Sequence, residues 1–353
     1  MAASQSATAG RGSLSHVERT AEEPREETLH RVTISSIVSV NESIRQITLG
    51  IEDSRGIKFL PGQWLDVHIP SLPRPGGFTI TSTPAEARRP SSAAPATPQD
   101  PRSSSSSSSS ASSPSPFLEL AIQRSSQNPP AAWLWRPPSE ILGAQLAVRV
   151  GGSFVWPPPG VADVSTIKRV VFVTGGVGIN PLISILSHLS DTDQLPPSVH
   201  FLYAFRDPRG SSSSSSSSSA SALDPSKVLF LSRVRSIVNR HRPGQVSLGL
   251  FVTGPAAAAA AAAAPQGIEH HNVDYGEDSH GDAHPQQDSL PDATIHRRRL
   301  RPTDVLASLG PPQQRSGTVA YVCGPQTLTD AFVKVIQDAE NMAAERVLCE
   351  KWW

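Results

Sequence analysis

Hydrophobic and polar residues alternate in short runs along the first half of the chain. The runs are LHRVTISSIVSV, SIRQITLG, QWLDVHIP, GGFTITS, FLELAIQR and QLAVRVGGSF, and they are separated mainly by Asn, Gly and Pro. A period of two is typical of strands with one buried face. Six such strands predict a small antiparallel barrel over residues 29–157, with residues 158–166 as a linker.

After residue 166 the pattern changes to continuous apolar runs that alternate with segments of helical period. The runs predict strands at 170–174, 199–205, 246–252 and 318–323, with RVLCEKWW as the last strand and tail; the helical segments are 180–190, 226–240, 303–309 and 326–341. Strands that alternate with helices predict a doubly wound parallel sheet, here an α/β domain over residues 166–353.

Segments without any periodic pattern interrupt both predicted domains. Residues 1–28 are predicted to be a disordered leader, and the low-complexity tracts 85–116, 207–222 and 254–316 are predicted to be disordered insertions. Such tracts bury too little apolar surface to offset their ordering entropy. The third tract contains His270, His271, His280 and His284, for which a polar loop is favoured over a metal site, so no metal is predicted.

Composition excludes several classes of function. The chain has 31 Lys and Arg against 31 Asp and Glu, so nothing indicates nucleic acid as a bulk electrostatic partner. Its two cysteines are too few for a four-cysteine zinc or iron–sulfur site. No apolar stretch has the length of a transmembrane segment. The Ser- and Ala-rich start, with Arg11 and no acid before Glu18, favours a mitochondrial leader; an untargeted leader would leave the protein cytoplasmic.

The stretch RVVFVTGGVGINPL, residues 169–182, carries the clearest chemistry. An apolar strand feeds a glycine turn that opens into an amphipathic helix, an arrangement that offers backbone N–H groups and a positive dipole end to a phosphate. The predicted pyrophosphate site comprises Gly175, Gly176, Val177, Gly178, Ile179, Asn180 and Pro181. The turn lacks the G-x-G-x-x-G fingerprint, so an ordinary strand–helix turn is the alternative.

A second strand ends in small residues, Cys323, Gly324 and Pro325, before a helix. Two such strand ends form one crevice in a doubly wound sheet. The nucleotide site is therefore predicted to lie between the two turns.

At these motifs the chain resembles the ferredoxin-NADP reductase superfamily. GGVGINPL is similar to that family's GGTGITPM nucleotide loop, and CGPQTL is similar to its CGPxxM loop beside the nicotinamide. Within the superfamily the chain resembles the oxidoreductase NAD-binding-domain-containing proteins in GGFTITSTP, NPPAAWLW, VRVGGSF, GGVGINPL and EKWW. The resemblance implies that the barrel is a six-stranded Greek-key barrel that binds flavin, as FAD or alternatively FMN.

The resemblance also assigns flavin contacts in the barrel. The family's R-x-Y-S motif aligns with residues 76–79, so Phe78 keeps the aromatic face, Thr79 keeps a hydroxyl near flavin N5, and Ile80 follows them. Gly76 replaces the phosphate-binding arginine, and Arg74 and Arg124 are the candidate substitutes. The alternative for Phe78 is a role in the barrel core.

The segment NPPAAWLW lies where the family has a short helix that faces the flavin pyrophosphate. Asn128 is a predicted helix cap and Pro129 a predicted first residue, and the site includes Pro130, Ala131 and Trp133. Backbone amides at this helix end can hold a phosphate without an arginine. The alternative is an ordinary capped helix that packs Trp133 against the barrel.

The family also implies a reaction, hydride transfer from a reduced nicotinamide to flavin N5 and electron delivery to a separate protein or small-molecule acceptor. Thr79, Cys323 beside the nicotinamide, and Trp353 are the predicted catalytic residues. Trp352 or Trp353 would stack on the flavin; the alternative is that both indoles pack between domains. Cys323 is alternatively a small buried residue without a reactive role.

The choice between NADH and NADPH depends on the end of the second strand of the α/β domain. Arg206 suits a 2′-phosphate, whereas Asp207 suits a free ribose hydroxyl, and the family name favours NAD. A protein that binds NAD(H) as a sensor or interaction module, without turnover, is the alternative from another functional class.

Overall fold

The structure is a computed structural model that describes residues 15–88, 115–208, 223–254 and 290–351. These residues form two compact units. The first extends to Pro159 and includes Ile183–Thr192, and the second consists of Gly160–Leu182 and Asp193–Lys351. Trp352, Trp353, the four histidines between residues 270 and 284, and most of the predicted insertions lie outside the described residues.

The first unit is built on an antiparallel six-stranded sheet. Its strands are β1 His30–Asn41, β2 Ile44–Ile51, β3 Trp64–His68, β4 Gly76–Thr79, β5 Phe117–Gln123 and β6 Gln145–Gly151, in the order β4-β3-β6-β1-β2-β5. A bridge between Ile80 and Leu120 joins the two outer strands, and the Thr81 amide donates to the Glu119 carbonyl at 2.8 Å. The sheet closes on itself, which confirms the predicted barrel.

The barrel interior follows from the period-two pattern. Leu65 of β3 lies opposite Phe78 of β4 and Val150 of β6, and all three are buried. Because directly opposed residues share one face of a sheet, this row points into the barrel, and the next row points outward. Two short helices, α2 Pro129–Leu134 and α3 Pro138–Ile141, contribute Ala131, Leu134 and Ile141 to the same core.

The N-terminal segment differs from its prediction. Residues 15–26, which we call the N-terminal strap, are ordered along the barrel and contain helix α1 His16–Arg19 with a capping box from Ser15. The Glu26 amide donates to the Val150 carbonyl, and the Gly152 amide donates to the Pro24 carbonyl, both at 2.9 Å. Composition predicted disorder in error because it does not register main-chain pairing or a buried ion pair with a distant strand.

The second unit is a parallel sheet of strands β7 Arg169–Gly175, β8 Ser198–Arg206, β9 Val246–Thr253, β10 Thr294–His296, β11 Thr318–Cys323 and β12 Val347–Glu350. Their order is β10-β9-β8-β7-β11-β12. The associated helices are α4 Ile179–Asp191, α5 Leu231–Arg240, α6 Pro302–Ser308 and α7 Gln326–Gln337. From β7 the chain adds strands first to one side and later to the other, which confirms the predicted doubly wound sheet.

Two helix boundaries differ from the predictions, and one of them lies directly beside a residue with a left-handed backbone. The helix predicted at 226–240 begins only at Leu231, because Phe230 has φ 57°. The helix predicted to reach residue 341 ends at Gln337, before Asn341 at φ 60°. Such conformations are rare outside glycine, and hydrophobic periodicity does not reveal them.

Residues 290–316 fall inside the third predicted insertion, yet they contain β10, α6 and a 3₁₀ helix at Pro312–Gly317. Pro302 starts α6, and Asp304 pairs with Arg298 at 2.6 Å. This part of the predicted insertion therefore includes an ordered ion pair. Among the described residues, no helix combines the length and apolar character needed to cross a bilayer.

A partly buried histidine lies near the amino ends of the central strands. His200 of β8 has its Nε2 at 2.5 Å from Arg169 Nη1 and its Nδ1 at 2.8 Å from the Ser247 hydroxyl. Burial, and then the positive charge of Arg169, lower the pKa of His200 from 6.5 to about 4. Because the guanidinium can only donate, the neutral ring accepts at Nε2 and donates from Nδ1.

We expect His200 to make the protein less stable in mild acid. Below pH 6.5 the unfolded chain binds a proton that the folded chain does not, so the free energy of unfolding falls by about 1 kcal/mol per pH unit between pH 6.5 and 4. His200→Asn should reduce this slope in urea denaturation curves. An equal slope in both proteins would show that His200 is not the titrating group.

Candidate functional site

The crevice of the second unit lies where β7 and β11 run side by side. Cys323, the last residue of β11, is in register with Thr174 of β7. The chain leaves β7 toward β8 on one side, whereas β11 is followed by β12 on the other. Ligands of doubly wound sheets bind beyond the carboxyl ends of strands at this type of switch point.

The glycines of the turn have different surroundings. A Cβ on Gly175 would lie 2.8 Å from Leu328 Cδ1, and a Cβ on Gly178 would lie 2.6 Å from Gly324 Cα and overlap the Cys323 carbonyl. Gly176 has φ +56°, and no described atom lies within 4 Å of where its Cβ would be. The sequence predicted that all three glycines leave room for a phosphate; Gly175 and Gly178 instead meet protein atoms, and Gly176 borders open space.

A tyrosine that the sequence analysis did not assign supports this turn. The Tyr203 hydroxyl donates to the Gly176 carbonyl at 3.4 Å, and the Tyr203 ring is 2% exposed. Burial raises the pKa of Tyr203 well above 10, so the hydroxyl remains a donor. The signal in the sequence was the position of Tyr203 near the carboxyl end of the next strand.

Helix α4 begins directly after the turn. Val177 lies in a 3₁₀ turn over Gly176–Gly178, and α4 starts at Ile179 with Asn180 and Pro181 in its first turn. The predicted loop residues are thus brought together at a helix N-terminus, as an anion site requires.

The carboxyl end of β7 contains a buried hydroxyl, that of Thr174, that could bind a ligand. Thr174 is fully buried, and its Oγ1 has no hydrogen-bond partner among the described residues. A buried polar group without a partner is costly. A polar ligand group that reached this hydroxyl would remove that cost, so the chemistry of the strand end is compatible with a nucleotide.

Cys323, Gly324 and Pro325 form the turn after β11. Cys323 is completely buried, and a Cβ on Gly324 would approach the Gly175 amide nitrogen to 3.0 Å. The two turns are therefore in direct contact. Burial of the thiol fits the small-residue alternative for Cys323.

A carboxylate that the sequence analysis left unassigned extends this row. Glu350 of β12 is in register with Cys323, so Thr174, Cys323 and Glu350 share one face of three neighbouring strands. Glu350 is only 9% exposed. It belongs to the EKWW tail on which the family resemblance was based, but a single acidic residue near a chain end gave no signal of burial.

At the end of β8, the two residues that bear on the choice between NADH and NADPH differ in exposure. Arg206 is exposed, and its guanidinium forms no hydrogen bond or ion pair with a described residue. Asp207 is 5% exposed, and its amide donates to the Thr253 carbonyl at 2.8 Å. Arg206 is therefore available to a ligand at this edge, whereas the Asp207 side chain is turned away from solvent.

In the barrel, the structure places Phe78 in the core. Its ring shares a cluster with Leu65, Ile80 and Ala131. A Cβ on Gly76 would lie 2.5 Å from Pro130 Cβ and 2.7 Å from Phe78 Cε2. The site of the missing arginine is thus filled by helix α2 and the Phe78 ring.

Thr79 points to the opposite face, in register with Trp64. It is 4% exposed, and its hydroxyl forms no hydrogen bond with a described residue. The hydroxyl is therefore available to a ligand. That face also carries Gly77, which the ring of His16 covers.

Helix α2 has the predicted N-terminus. Asn128 caps it by accepting from the Ala131 amide at 3.3 Å, and Pro129 is its first residue. Trp133 is partly buried against the barrel core, as the packing alternative expected.

Neither candidate arginine substitutes visibly for the one missing at Gly76. Arg74 lies 3.4 Å from Glu18, and Arg124 lies over the ring of Trp135, just past the C-terminal end of α2. Within the described ranges, no group of three or more His, Cys, Asp or Glu residues is arranged to hold a metal ion.

Comparison with known proteins agrees with this architecture. Residues 167–337 match the family model of the ferric reductase NAD binding domain. Proteins named oxidoreductase NAD-binding domain-containing protein 1 are similar over 96% of the chain. The Bos taurus and Homo sapiens proteins are 26% identical over 340 residues, which cover 85% and 84% of their lengths, and the Danio rerio protein is 26% identical over 345 residues, or 97% of its length.

Solved structures share the fold at low sequence identity. The cytochrome P450 reductase of Amycolatopsis aligns with a TM-score of 0.57 at 16% identity, over 94% of this chain and 71% of its own. The CS–b5R domains of a human protein in the NAD+ form give 0.57 at 13% identity, over 93% and 72%. A ferredoxin NADP+ reductase from Neisseria gonorrhoeae with bound FAD and NADP gives 0.53 at 11% identity, over 93% and 100%.

The sequence predicted this resemblance from the two turns, three motifs of the barrel half and the tail, and the matches confirm it. A barrel followed by a doubly wound sheet, a family match over residues 167–337 and relatives aligned over almost the whole length agree with one another: the chain has the fold of the ferredoxin reductases and is similar to the oxidoreductase NAD-binding domain-containing proteins.

Proposed function

We propose that this protein is an NAD(P)H-dependent flavin oxidoreductase that passes electrons to a separate acceptor. The observation that carries the proposal is the switch point of the second unit, where Gly176 borders open space at a helix N-terminus. NADH is the proposed electron donor, and FAD is the proposed flavin.

The nucleotide half of the proposal follows from the turn. Because Gly176 has no side chain and lies at φ +56°, a pyrophosphate can approach its backbone closely. The Tyr203 hydroxyl donates to the Gly176 carbonyl, so the turn is fixed before a ligand binds. Because the amides of this turn are already oriented, little conformational entropy is lost when they bind an anion.

The flavin half draws on the barrel and on the superfamily. A relative by fold, the Neisseria gonorrhoeae reductase, contains bound FAD. In this chain the unbonded Thr79 hydroxyl supplies a donor. The first turn of α2 adds no free amide, because Pro129 and Pro130 have no N–H and the amides of Ala131 and Ala132 donate to Asn128. A bound flavin accepts a hydride from reduced nicotinamide and releases electrons to an acceptor.

The residues of the chain are proposed to hold the two cofactors and to shield the flavin ring from water. Thr79 would donate a hydrogen bond to a bound flavin, and Cys323, with Glu350 in register beside it, would lie near the nicotinamide. Trp352 or Trp353 is proposed to cover the ring face. A dry, buried environment strengthens each of these polar contacts.

One observation favours a second candidate, a module that binds NAD(H) without turnover. Gly76 stands in place of the phosphate-binding arginine, and Pro130 fills the space where its side chain would begin. If no other group replaces that arginine, the barrel holds no flavin and only the nucleotide half of the proposal remains.

The deciding experiment is the visible spectrum of the purified full-length protein after incubation with FAD and gel filtration. We expect retained absorbance near 450 nm (roughly, for an oxidised flavin) that bleaches anaerobically on addition of NADH and returns with ferricyanide. NADPH and FMN are tested in parallel. A colourless protein that still binds NADH in calorimetry would favour the non-catalytic module.

A pair of glycine variants tests the nucleotide turn. Gly176→Asn should fold normally, because asparagine tolerates a left-handed backbone, but its side chain enters the open space and should weaken NADH binding at least about tenfold. Gly178→Ala should instead lower the melting temperature, because its Cβ meets the backbone of residues 323 and 324. Calorimetry and thermal unfolding measure the two effects, and equal NADH affinity in wild type and Gly176→Asn would remove the turn from the site.

A second pair tests Thr79. Thr79→Val keeps the shape but removes the hydroxyl, so the rate of flavin reduction by NADH should fall by about tenfold or more, as expected for loss of a charge-stabilising donor. Thr79→Ser keeps the hydroxyl and should retain most of that rate. Stopped-flow absorbance measures both; similar rates in the valine and serine variants would contradict a role for the hydroxyl.

A further inference from the structure

Strand β4 contains two adjacent glycines, Gly76 and Gly77, that contribute no side chains to either face of the barrel. Each position is filled by another part of the chain. Pro130 of α2 occupies the space on the inner face, and the imidazole of His16 occupies the space on the outer face, so that a Cβ on Gly77 would overlap three atoms of the ring. Helix α2 and the N-terminal strap therefore clamp β4 from both sides.

A strand with two glycines depends strongly on such clamps. Glycine weakens a strand because it loses more backbone entropy and offers nothing to pack. The position of β4 is accordingly set by its neighbours. Phe78 and Thr79 follow the glycine pair directly, so they share whatever position the clamps impose.

We propose that His16 is a positioning residue: the N-terminal strap holds its ring on Gly77 and thereby sets the strand that presents Thr79 to the cofactor. The role of Thr79 in this statement rests on the proposed function. The placement of β4 by His16 does not.

The ring of His16 is held by two contacts. Its Nε2 lies 3.0 Å from Asp66 Oδ1, and its edge meets the face of Trp64 with centroids 4.7 Å apart and planes at 85°. Asp66 lies opposite Gly77, and Trp64 lies opposite Thr79, in the register of β3 with β4. The histidine therefore bears on both outward-facing positions of β4, directly at Gly77 and through Trp64 at Thr79.

Asp66 is the anchor of this arrangement. It is fully buried and accepts from Arg25 Nε at 3.1 Å and from Arg149 Nη2 at 2.7 Å. Burial would raise the pKa of Asp66, but hydrogen bonds from His16 and Arg149 and the charges of His16 and Arg25 outweigh it and lower this pKa to about 2. The carboxylate is thus ionised, and two of its three partners come from the strap.

The rest of the strap fastens it to β6 and the residues beyond. Glu23 accepts from the Ser153 amide at 3.0 Å and from its hydroxyl at 2.7 Å. Arg25 donates to the Thr20 carbonyl at 2.5 Å and lies over the ring of Trp64 at 4.9 Å. These contacts hold α1 in place independently of β4, so the strap is a support and not merely a covering.

The first test measures β4 in the full-length protein without added cofactor. Amide hydrogen exchange at residues 76–80 should be roughly tenfold faster in His16→Ala than in wild type, since local opening follows lost support. His30→Ala is the matched control, because His30 pairs with Glu26 at 3.0 Å and does not touch β4. Unchanged exchange at 76–80 in His16→Ala, or an equal increase in the control, overturns the proposal.

A double-mutant cycle distinguishes a direct contact between His16 and Gly77 from a general loss of stability. Gly77→Ala should lower the melting temperature in wild type because its Cβ meets the imidazole, and should do so much less in the His16→Ala background, where that space is empty. Equal effects in the two backgrounds would mean that the ring does not rest on Gly77.

The cofactor arm then links the strap to the proposed function. His16→Ala should weaken FAD binding roughly tenfold and alter the visible circular dichroism of the bound flavin, whereas His30→Ala should do neither. FAD binding unchanged in affinity and dichroism would separate His16 from the cofactor and overturn the proposal. If wild type binds no FAD, the proposed function fails, and the exchange and cycle experiments alone decide whether His16 positions β4.

Discussion

Close contact between the two turns at the switch point is the constraint on which the nucleotide site depends. Gly178 lies against the backbone of Cys323 and Gly324, and Gly175 lies against Leu328. Any side chain at Gly175 or Gly178 would push the β7 turn away from β11. Because those positions are committed to packing, only Gly176 is left to face a ligand, with its carbonyl held by Tyr203.

Glycines also allow close packing in the barrel, where they admit groups that position a strand. Gly76 and Gly77 admit Pro130 on one face and His16 on the other, so a strand without side chains is positioned by groups from α2 and the N-terminal strap. The approach of Pro130 also explains why residue 76 is glycine and not the arginine of the family motif, since a side chain at residue 76 would displace α2. In both units, glycine marks a place where another part of the chain must approach closely.

Much of the fold could be predicted from the sequence because hydrophobic periodicity reports burial directly. The run Val170–Val173 is buried on both faces, as a central parallel strand requires, and the six alternating runs close into a barrel. Asn128 and Pro129 were recognised as a helix start because capping depends on local residue types. The two glycine turns were found for the same reason.

The rest depended on contacts between distant residues. Nothing local in Ser15–Glu26 indicates that His16 rests on Gly77, or that Arg25 shares Asp66 with Arg149. The burial of Phe78 in the core, and the alignment of Glu350 with Cys323, depend on strand register. The left-handed backbone at Phe230 likewise has no signature in the hydrophobic pattern.

The central claim, that a nicotinamide nucleotide binds at the switch point, is tested most directly by titrating ¹⁵N-labelled protein with NADH and following the backbone amide resonances. We expect the largest shifts at Gly176, Val177, Ile179 and Gly324, which border the crevice, and little change in β9 and β10 at the far edge of the sheet. Shifts confined to other surfaces, with the amides of both turns unmoved at saturation, would contradict it.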